Sequence, residues 1–216
     1  MSKLENNRNL HGTTTVGLLY DDGVILSSDT RAIAGGYFIA HQNVKKILKI
    51  DDHIGMTIAG GVADAQNVSD MIKYHANNYR LSNGSPIPIK SAANLISNIF
   101  FSSRLYPLFC DILVGGYDKS GPQIFNIDLF GSVSQAKFVS TGSGSPVAYG
   151  ILENSYKPGI SLVDGQKIAF NAINAAISRN AGTGNGCDIV YINSEGFFEL
   201  SESEKQKISG KISGSA

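Results

Sequence analysis

The sequence predicts an α+β domain of two stacked antiparallel sheets with helices on both outer faces. Three observations carry that expectation. Strand-like runs come in groups rather than alternating singly with helices, which argues against a parallel βαβ sheet. Helix pairs separate the groups, so the order is strands, two helices, strands, two helices, strands. At roughly 150 residues per domain, a chain of 216 residues fits one domain, large enough to bury a core without disulfide or metal staples.

The elements follow in order along the chain. Residues 1–12 are polar and aperiodic, and are expected to be a removable leader. Thr14 to Tyr20 is β-branched and apolar, Asp21-Asp22-Gly23 is a hairpin turn, and Val24 to Ser28 is the second strand. Gly35-Gly36 breaks the chain. Lys46 to Ile50 and Ile54 to Ala59 read as two more strands. From Val62 the positions Ala65, Val68, Met71, Ile72, His75 and Tyr79 recur at three and four, a helical stripe that Asn83-Gly84-Ser85-Pro86 ends. Ala92, Leu95, Ile96, Ile99 and Phe100 mark a second helix before Pro107. Strands return at Asp111 to Gly115, Gln123 to Leu129 and Ala136 to Val139, then helices at Val147 to Asn154 and Val163 to Ser178. Asp188 to Asn193 and Phe197 to Leu200 form a last hairpin. The domain is expected over residues 13–201. Residues 202–216, rich in Lys, Glu, Ser and Gly, are expected to fray as a polar tail.

Composition excludes several function classes. With 18 basic and 18 acidic residues, the positive footprint of a nucleic-acid binder is missing. No apolar run approaches the ~18 residues of a membrane span. The start, Met1-Ser2-Lys3-Leu4-Glu5, has no apolar core of a secretory signal, and Cys110 and Cys187 are too few for a disulfide framework. A cytoplasmic setting is the expectation. The histidines show no H-x-x-x-H spacing and the cysteines no C-x-x-C, so neither a metal nor a cofactor is expected.

Two glycine runs resemble phosphate loops at a glance. Gly182-Thr183-Gly184-Asn185-Gly186 leads into a strand, where no helix N-terminus would hold a phosphate. Gly142-Ser143-Gly144-Ser145-Pro146 opens a helix, with Ser145 as the expected N-cap and Pro146 at N1. The more informative run is Gly12-Thr13-Thr14-Thr15-Val16-Gly17. Taken alone it is an ordinary β-branched strand start. Its position changes that, because a hydroxyl residue stands where the polar leader ends in Gly. If the Gly12–Thr13 bond is cut, Thr13 carries a nucleophilic hydroxyl and an α-amine with a pKa of about 7.7–8.0. One residue then supplies nucleophile and base. Neighbours that could tune it are at hand. Asp29 and Arg31 end the second strand on the face of Ile25 and Ser27. Alternation groups Lys46 with Leu48 and Ile50, and Lys45 with Ile47 and Lys49. Lys46 is therefore the lysine expected to be buried, with Asp29 as its natural partner. Lys45 reads as a solvated charge.

These residues resemble the β-type subunits of the proteasome core particle, within the N-terminal-nucleophile hydrolases, and the style is closest to archaeal β subunits. The carriers are Gly12-Thr13-Thr14-Thr15-Val16-Gly17, Ser28-Asp29-Thr30-Arg31, Val44-Lys45-Lys46-Ile47, Gly55-Met56-Thr57-Ile58-Ala59-Gly60-Gly61 and Ser140-Thr141-Gly142-Ser143-Gly144-Ser145-Pro146. The resemblance implies a four-layer αββα sandwich. It also implies stacked seven-membered rings with α subunits and other β subunits, an ATPase regulator on the α ring, and hydrolysis of unfolded proteins inside a chamber. Thr13 would be the nucleophile of a threonine endopeptidase, freed by autocatalytic cleavage after Gly12. Asp29 and Lys46 would tune it, the Gly60 amide would be an oxyanion donor, and Ser143 the hydroxyl near the amine. Ala32, Ile33, Val44, Leu48, Ile58 and Val62 would form the substrate pocket, whose apolar character implies cleavage after hydrophobic residues. The chain departs from the pattern at Arg179-Asn180-Ala181-Gly182-Thr183-Gly184, where active members carry Arg-Asp-x-x-Ser-Gly. Thr183 keeps the hydroxyl, whereas Asn180 replaces a carboxylate and supplies no charge. Ile33 stands where Thr is common, and one extra residue lies between Arg31 and Lys46.

Three readings stand at this point. The first is an active peptidase subunit, favoured by retention of Gly12, Thr13, Asp29, Lys46 and Ser143 together. The second is a non-catalytic β subunit that contributes ring interfaces, favoured by Asn180. The third, a nucleotide-binding module, rests only on the glycine runs.

Overall fold

The computed structural model describes residues 12–35 and 37–210. The expected leader apart from Gly12, and the end of the expected tail at residues 211–216, lie outside the described residues. The chain begins with six strands, β1 (Thr14–Tyr20), β2 (Gly23–Asp29), β3 (Ala32–Ala34), β4 (Phe38–His41), β5 (Ile47–Asp51) and β6 (Ile54–Gly60). Helices α1 (Val62–Asn83) and α2 (Ile89–Ser102) follow, then β7 (Cys110–Asp118), β8 (Gly121–Ile127), β9 (Val133–Gln135) and β10 (Phe138–Gly142). Helices α3 (Ser145–Ser155) and α4 (Leu162–Arg179), the hairpin β11 (Cys187–Asn193) and β12 (Gly196–Glu199), and α5 (Glu202–Ile208) complete the order.

Two five-stranded antiparallel sheets stack on one another, one in the order β10-β1-β2-β11-β12 and one in the order β5-β6-β7-β8-β9. Three apolar layers hold the stack. Val24, Leu26, Ile47, Leu113, Ile124 and Ile192 pack between the sheets. Val68, Ile72, Ile96 and Phe100 of α1 and α2 cover the outer face of the second sheet. Leu152, Ile168, Ala172 and Ile173 of α3 and α4 cover the first. Each fully buried large side chain contributes about 1.5–3 kcal/mol relative to exposure, so all three layers are needed to register the sheets. The expected α+β, four-layer αββα architecture is what the fold shows.

Local sequence explains most boundaries. Helix α1 ends at Gly84, whose φ of 65° lets its amide cap the Arg80 carbonyl. The structure departs from expectation in four places. Gly35-Gly36 is not a simple break, because Gly35 (φ 63°) lies between the strands of a separate two-stranded hairpin, β3–β4. Strands of three and four residues leave too little alternation to read. The strand expected at Ala136 to Val139 is β10, which starts at Phe138 and runs to Gly142, and the short β9 before it is not among the expected strands. Helix α3 is capped by Gly144 without a side-chain bond, so Ser145 is the first helical residue and Pro146 the second. Residues 202–208 do not fray. Ser201 accepts the Glu204 amide while Glu204 accepts the Ser201 amide at 2.7 Å, a capping box that starts α5. Lys205 then fastens α5 to the Cys187 carbonyl and to Asp188, each at 3.1 Å.

Candidate active site

The first residues of β1, the end of β2, the approach to β5 and the α4–β11 loop converge at one end of the sandwich. Thr13 precedes β1 and is 4% exposed. Asp29, the last residue of β2, is fully buried. Lys46 comes from the other sheet, one residue before β5, and is 4% exposed. Its Nζ donates to Asp29 Oδ1 at 2.7 Å and to Thr13 Oγ1 at 3.0 Å. Thr13 Oγ1 in turn donates to the Gly12 carbonyl at 2.6 Å. The hydroxyl therefore sits between a lysine and the peptide bond that precedes it.

Four donors take the place of water around the Asp29 carboxylate. Oδ1 accepts Lys46 and the Thr14 amide (2.9 Å), while Oδ2 accepts the amides of Arg31 (3.2 Å) and Gly184 (3.0 Å). Burial pushes the Lys46 ammonium below the ordinary lysine range, against the opposing pull of Asp29, and the Arg31 charge adds to the depression. Lys45 is exposed and pairs with Glu199 at 2.6 Å. Alternation thus separates the two lysines as expected. Ile47, however, turns into the inter-sheet core rather than sharing the solvated face of Lys45 and Lys49.

Ser143, Asn180 and Thr183 form a second cluster beside the first. Asn180 Oδ1 accepts the hydroxyls of Ser143 (3.0 Å) and Thr183 (2.9 Å), and Asn180 Nδ2 donates to the Ser143 carbonyl at 3.1 Å. With its own proton committed to Asn180, Thr183 Oγ1 accepts from Thr14 Oγ1 at 2.7 Å. The amide meets three partners, and a carboxylate could not make the donation to Ser143. Below the site, Thr57 Oγ1 reaches across the sandwich to Thr15 Oγ1 at 3.2 Å and ties the sheets together.

A cleft of about 30 Å³ opens against Thr13, lined by Gly12, Lys46, Gly60, Ala32, Ile33, Val44, Ile58 and Val62. Five of the six expected pocket residues are there. Leu48 is not. It pairs with Met56, two residues further along the β5–β6 ladder than Ile58, and packs towards the helix layer of α1 and α2. Gly60 has a φ of 123°, and a Cβ there would collide with the Phe109 carbonyl and come within 2.9 Å of Cys110 Cα, so only glycine fits.

The residues that pattern reading missed act through the backbone or the loop. They are Thr14 and the Gly184 amide; Arg31, expected beside the site, also holds Ala181 O and Asn185 Oδ1 at 2.9 Å each through its guanidinium. The glycines of the Gly182–Gly186 run also find a local reason. A Cβ on Gly182 would come within 2.6 Å of Gly12 Cα, and one on Gly184 would overlap the Arg31 guanidinium.

Comparison with known proteins agrees with this geometry. The family described as "Proteasome subunit" matches residues 10–192. "Proteasome subunit beta 2" of Nitrosopumilus maritimus is 53% identical over 96% of this chain and 99% of its own. The protein of the same description in Cenarchaeum symbiosum is 51% identical over the same shares. "Proteasome subunit beta" of Methanothrix thermoacetophila is 46% identical over 91% of this chain and 95% of its own. With a match over nearly the full length of these relatives, a four-layer sandwich and a threonine at the mouth of its cleft, the chain belongs to the proteasome subunit family as a β-type subunit.

Proposed function

We propose that the chain is a threonine endopeptidase subunit, with Thr13 as nucleophile and the Gly12–Thr13 bond as its own first substrate. The observation that carries this reading is the Lys46 Nζ contact to both Thr13 Oγ1 and Asp29. In the uncut chain the Thr13 nitrogen is an amide and no base. Lys46 is the titratable group that touches the hydroxyl, and its depressed pKa leaves more of the neutral amine to accept a proton. Thr13 Oγ1 then attacks the Gly12 carbonyl carbon, the C–N bond breaks as the nitrogen takes a proton, and an ester links Gly12 to Thr13. Water hydrolyses the ester, leaving a Gly12 carboxylate and a free Thr13 amine.

The same atoms serve peptide hydrolysis afterwards. The free amine accepts the hydroxyl proton, Oγ1 attacks the substrate carbonyl, and the amine returns the proton to the leaving nitrogen. The Gly60 amide, at the wall of the cleft, would stabilise the developing oxyanion, and Ser143, held by Asn180, would be the hydroxyl near the amine, the roles that the family resemblance gives them. Asn180 and Thr183 act by placing hydroxyls. The apolar walls of Ala32, Ile33, Val44, Ile58 and Val62 favour cleavage after hydrophobic residues.

In this reading the subunit works in seven-membered rings stacked with α subunits and other β subunits, in the cytoplasm, with an ATPase regulator feeding unfolded protein. Among the described residues no helix is long and apolar enough to cross a membrane. Asn180 favours the second reading, a non-catalytic ring subunit, because it removes a charge from the amine site. Its three satisfied bonds weigh against that, since the hydroxyls it positions keep their geometry. In particles assembled with the cognate α subunit, Thr13→Ala is expected to abolish cleavage of peptides with a hydrophobic residue before the scissile bond. Cleavage at the wild-type rate would refute the assignment.

A further inference from the structure

Arg31 takes no part in the bond making and breaking above, yet it makes contacts that a surface arginine does not need. Its guanidinium donates to the Ala181 carbonyl and to Asn185 Oδ1, both at 2.9 Å, bridging the two ends of the loop between α4 and β11. Its own amide donates to the Gly184 carbonyl at 2.6 Å and to Asp29 Oδ2 at 3.2 Å. The guanidinium lies so closely on Gly184 that no Cβ fits there. The loop so held delivers the Gly184 amide to Asp29 Oδ2 and carries Asn180 and Thr183 to Ser143 and Thr14. Among the described residues, no carboxylate forms an ion pair with this guanidinium.

We propose that Arg31 is a positioning residue that pins the 181–185 loop to the end of β2, setting the Asn180–Thr183 hydroxyl network against Ser143 and Thr14 and the Gly184 amide against Asp29. The planar fork suits this work, because two donors at fixed separation reach two acceptors of one loop. Its uncompensated charge adds a second effect. The charged groups that act on Lys46 are Asp29 and Arg31, and they oppose one another. Removing the Arg31 charge lets the Lys46 pKa rise, so that the neutral amine appears only at higher pH.

This inference rests on the reading of Thr13 and Lys46 as the reacting pair, so the test carries one readout that does not depend on catalysis. Arg31→Gln and Arg31→Lys are assembled with the cognate α subunit beside the wild-type chain. Hydrogen exchange of the 181–186 amides and the pH dependence of leader removal are measured for each. In both variants the loop amides are expected to exchange at least tenfold faster, because neither side chain reproduces the fork. In Arg31→Gln alone, the ascending limb of leader removal moves to higher pH, while Arg31→Lys keeps the charge and the limb. Wild-type exchange of the loop in both variants would overturn the pin. Limbs that coincide in the Gln variant and the wild type would overturn the charge effect. Should the Gln variant fail to assemble, Gly184→Ala displaces the guanidinium without altering its charge and must loosen the loop likewise. If the wild-type leader stays in place, the peptidase reading fails, while loop exchange still decides the role of Arg31.

Discussion

Gly12 can be tested by a single methyl group. Its Cα packs against the backbone of Gly182, and a Cβ built on Gly12 falls 2.5 Å from the Gly182 carbonyl carbon and nearer still to its Cα and oxygen. Contacts under 3.0 Å require something to move, and here the obstacle is main chain on both sides, with no rotamer to yield. Overpacking of this kind costs about 1–3 kcal/mol. In the proposed self-cleavage, the displaced atom belongs to the residue whose carbonyl carbon Thr13 attacks. At about 1.4 kcal/mol per tenfold in rate, Gly12→Ala is expected to slow leader removal by roughly tenfold to a hundredfold. Intact-mass time courses of assembling particles read that rate directly. Residue 12 leaves with the leader, so each site that does mature must turn over peptide at the wild-type rate. Processing of Gly12→Ala as fast as wild type would refute the Gly12–Gly182 contact, and slow turnover after processing would place the defect elsewhere.

Other consequences follow from the same geometry. Lys46→Met leaves the buried Asp29 carboxylate without its cation, a loss of about 3–5 kcal/mol, and should abolish leader removal. Lys45→Met removes only an exposed pair worth at most about 1 kcal/mol, and equal effects of the two would contradict the burial argument. Because the proposed step needs a neutral Lys46 to accept the Thr13 proton, leader removal should accelerate as pH rises through its depressed pKa, with the limb below the ordinary lysine value of 10.5. A rate independent of pH across that limb would exclude Lys46 as the base. Ser201→Ala removes the N-cap of α5, about 1 kcal/mol, and should raise hydrogen exchange of residues 202–208 about fivefold without altering peptide cleavage.

The parts of the fold that sequence made legible are those where local chemistry and burial agree. Strand β1 ends where Asp21-Asp22-Gly23 turns, and α1 ends at the one glycine that can adopt its left-handed cap. Lys46 could be told from Lys45 because a two-residue period decides which lysine is buried. The misses have physical causes too. Strands β3 and β4 are too short for a period to emerge. Helix α5 is composed of residues that usually fray, and only the Ser201-x-x-Glu204 spacing betrays its start. Leu48 was assigned to the pocket by the resemblance, but the cleft stops at the Ile58 rung. Thr14, the Gly184 amide and the loop contacts of Arg31 escaped notice because they act across separations of some 150 residues, through contacts that no local pattern encodes.

Whether Thr13 is freed to act as a nucleophile can be read from the intact mass of the chain taken from complete particles. Assembly with the cognate α subunit is part of the measurement, since an unassembled precursor can stay uncut whatever its chemistry. A mass that begins at Thr13 is expected, with Asn180 a tolerated neutral partner of Ser143 and Thr183. A mass that begins at Met1 in fully assembled particles would contradict it, and the subunit would then serve the ring without exposing a nucleophile.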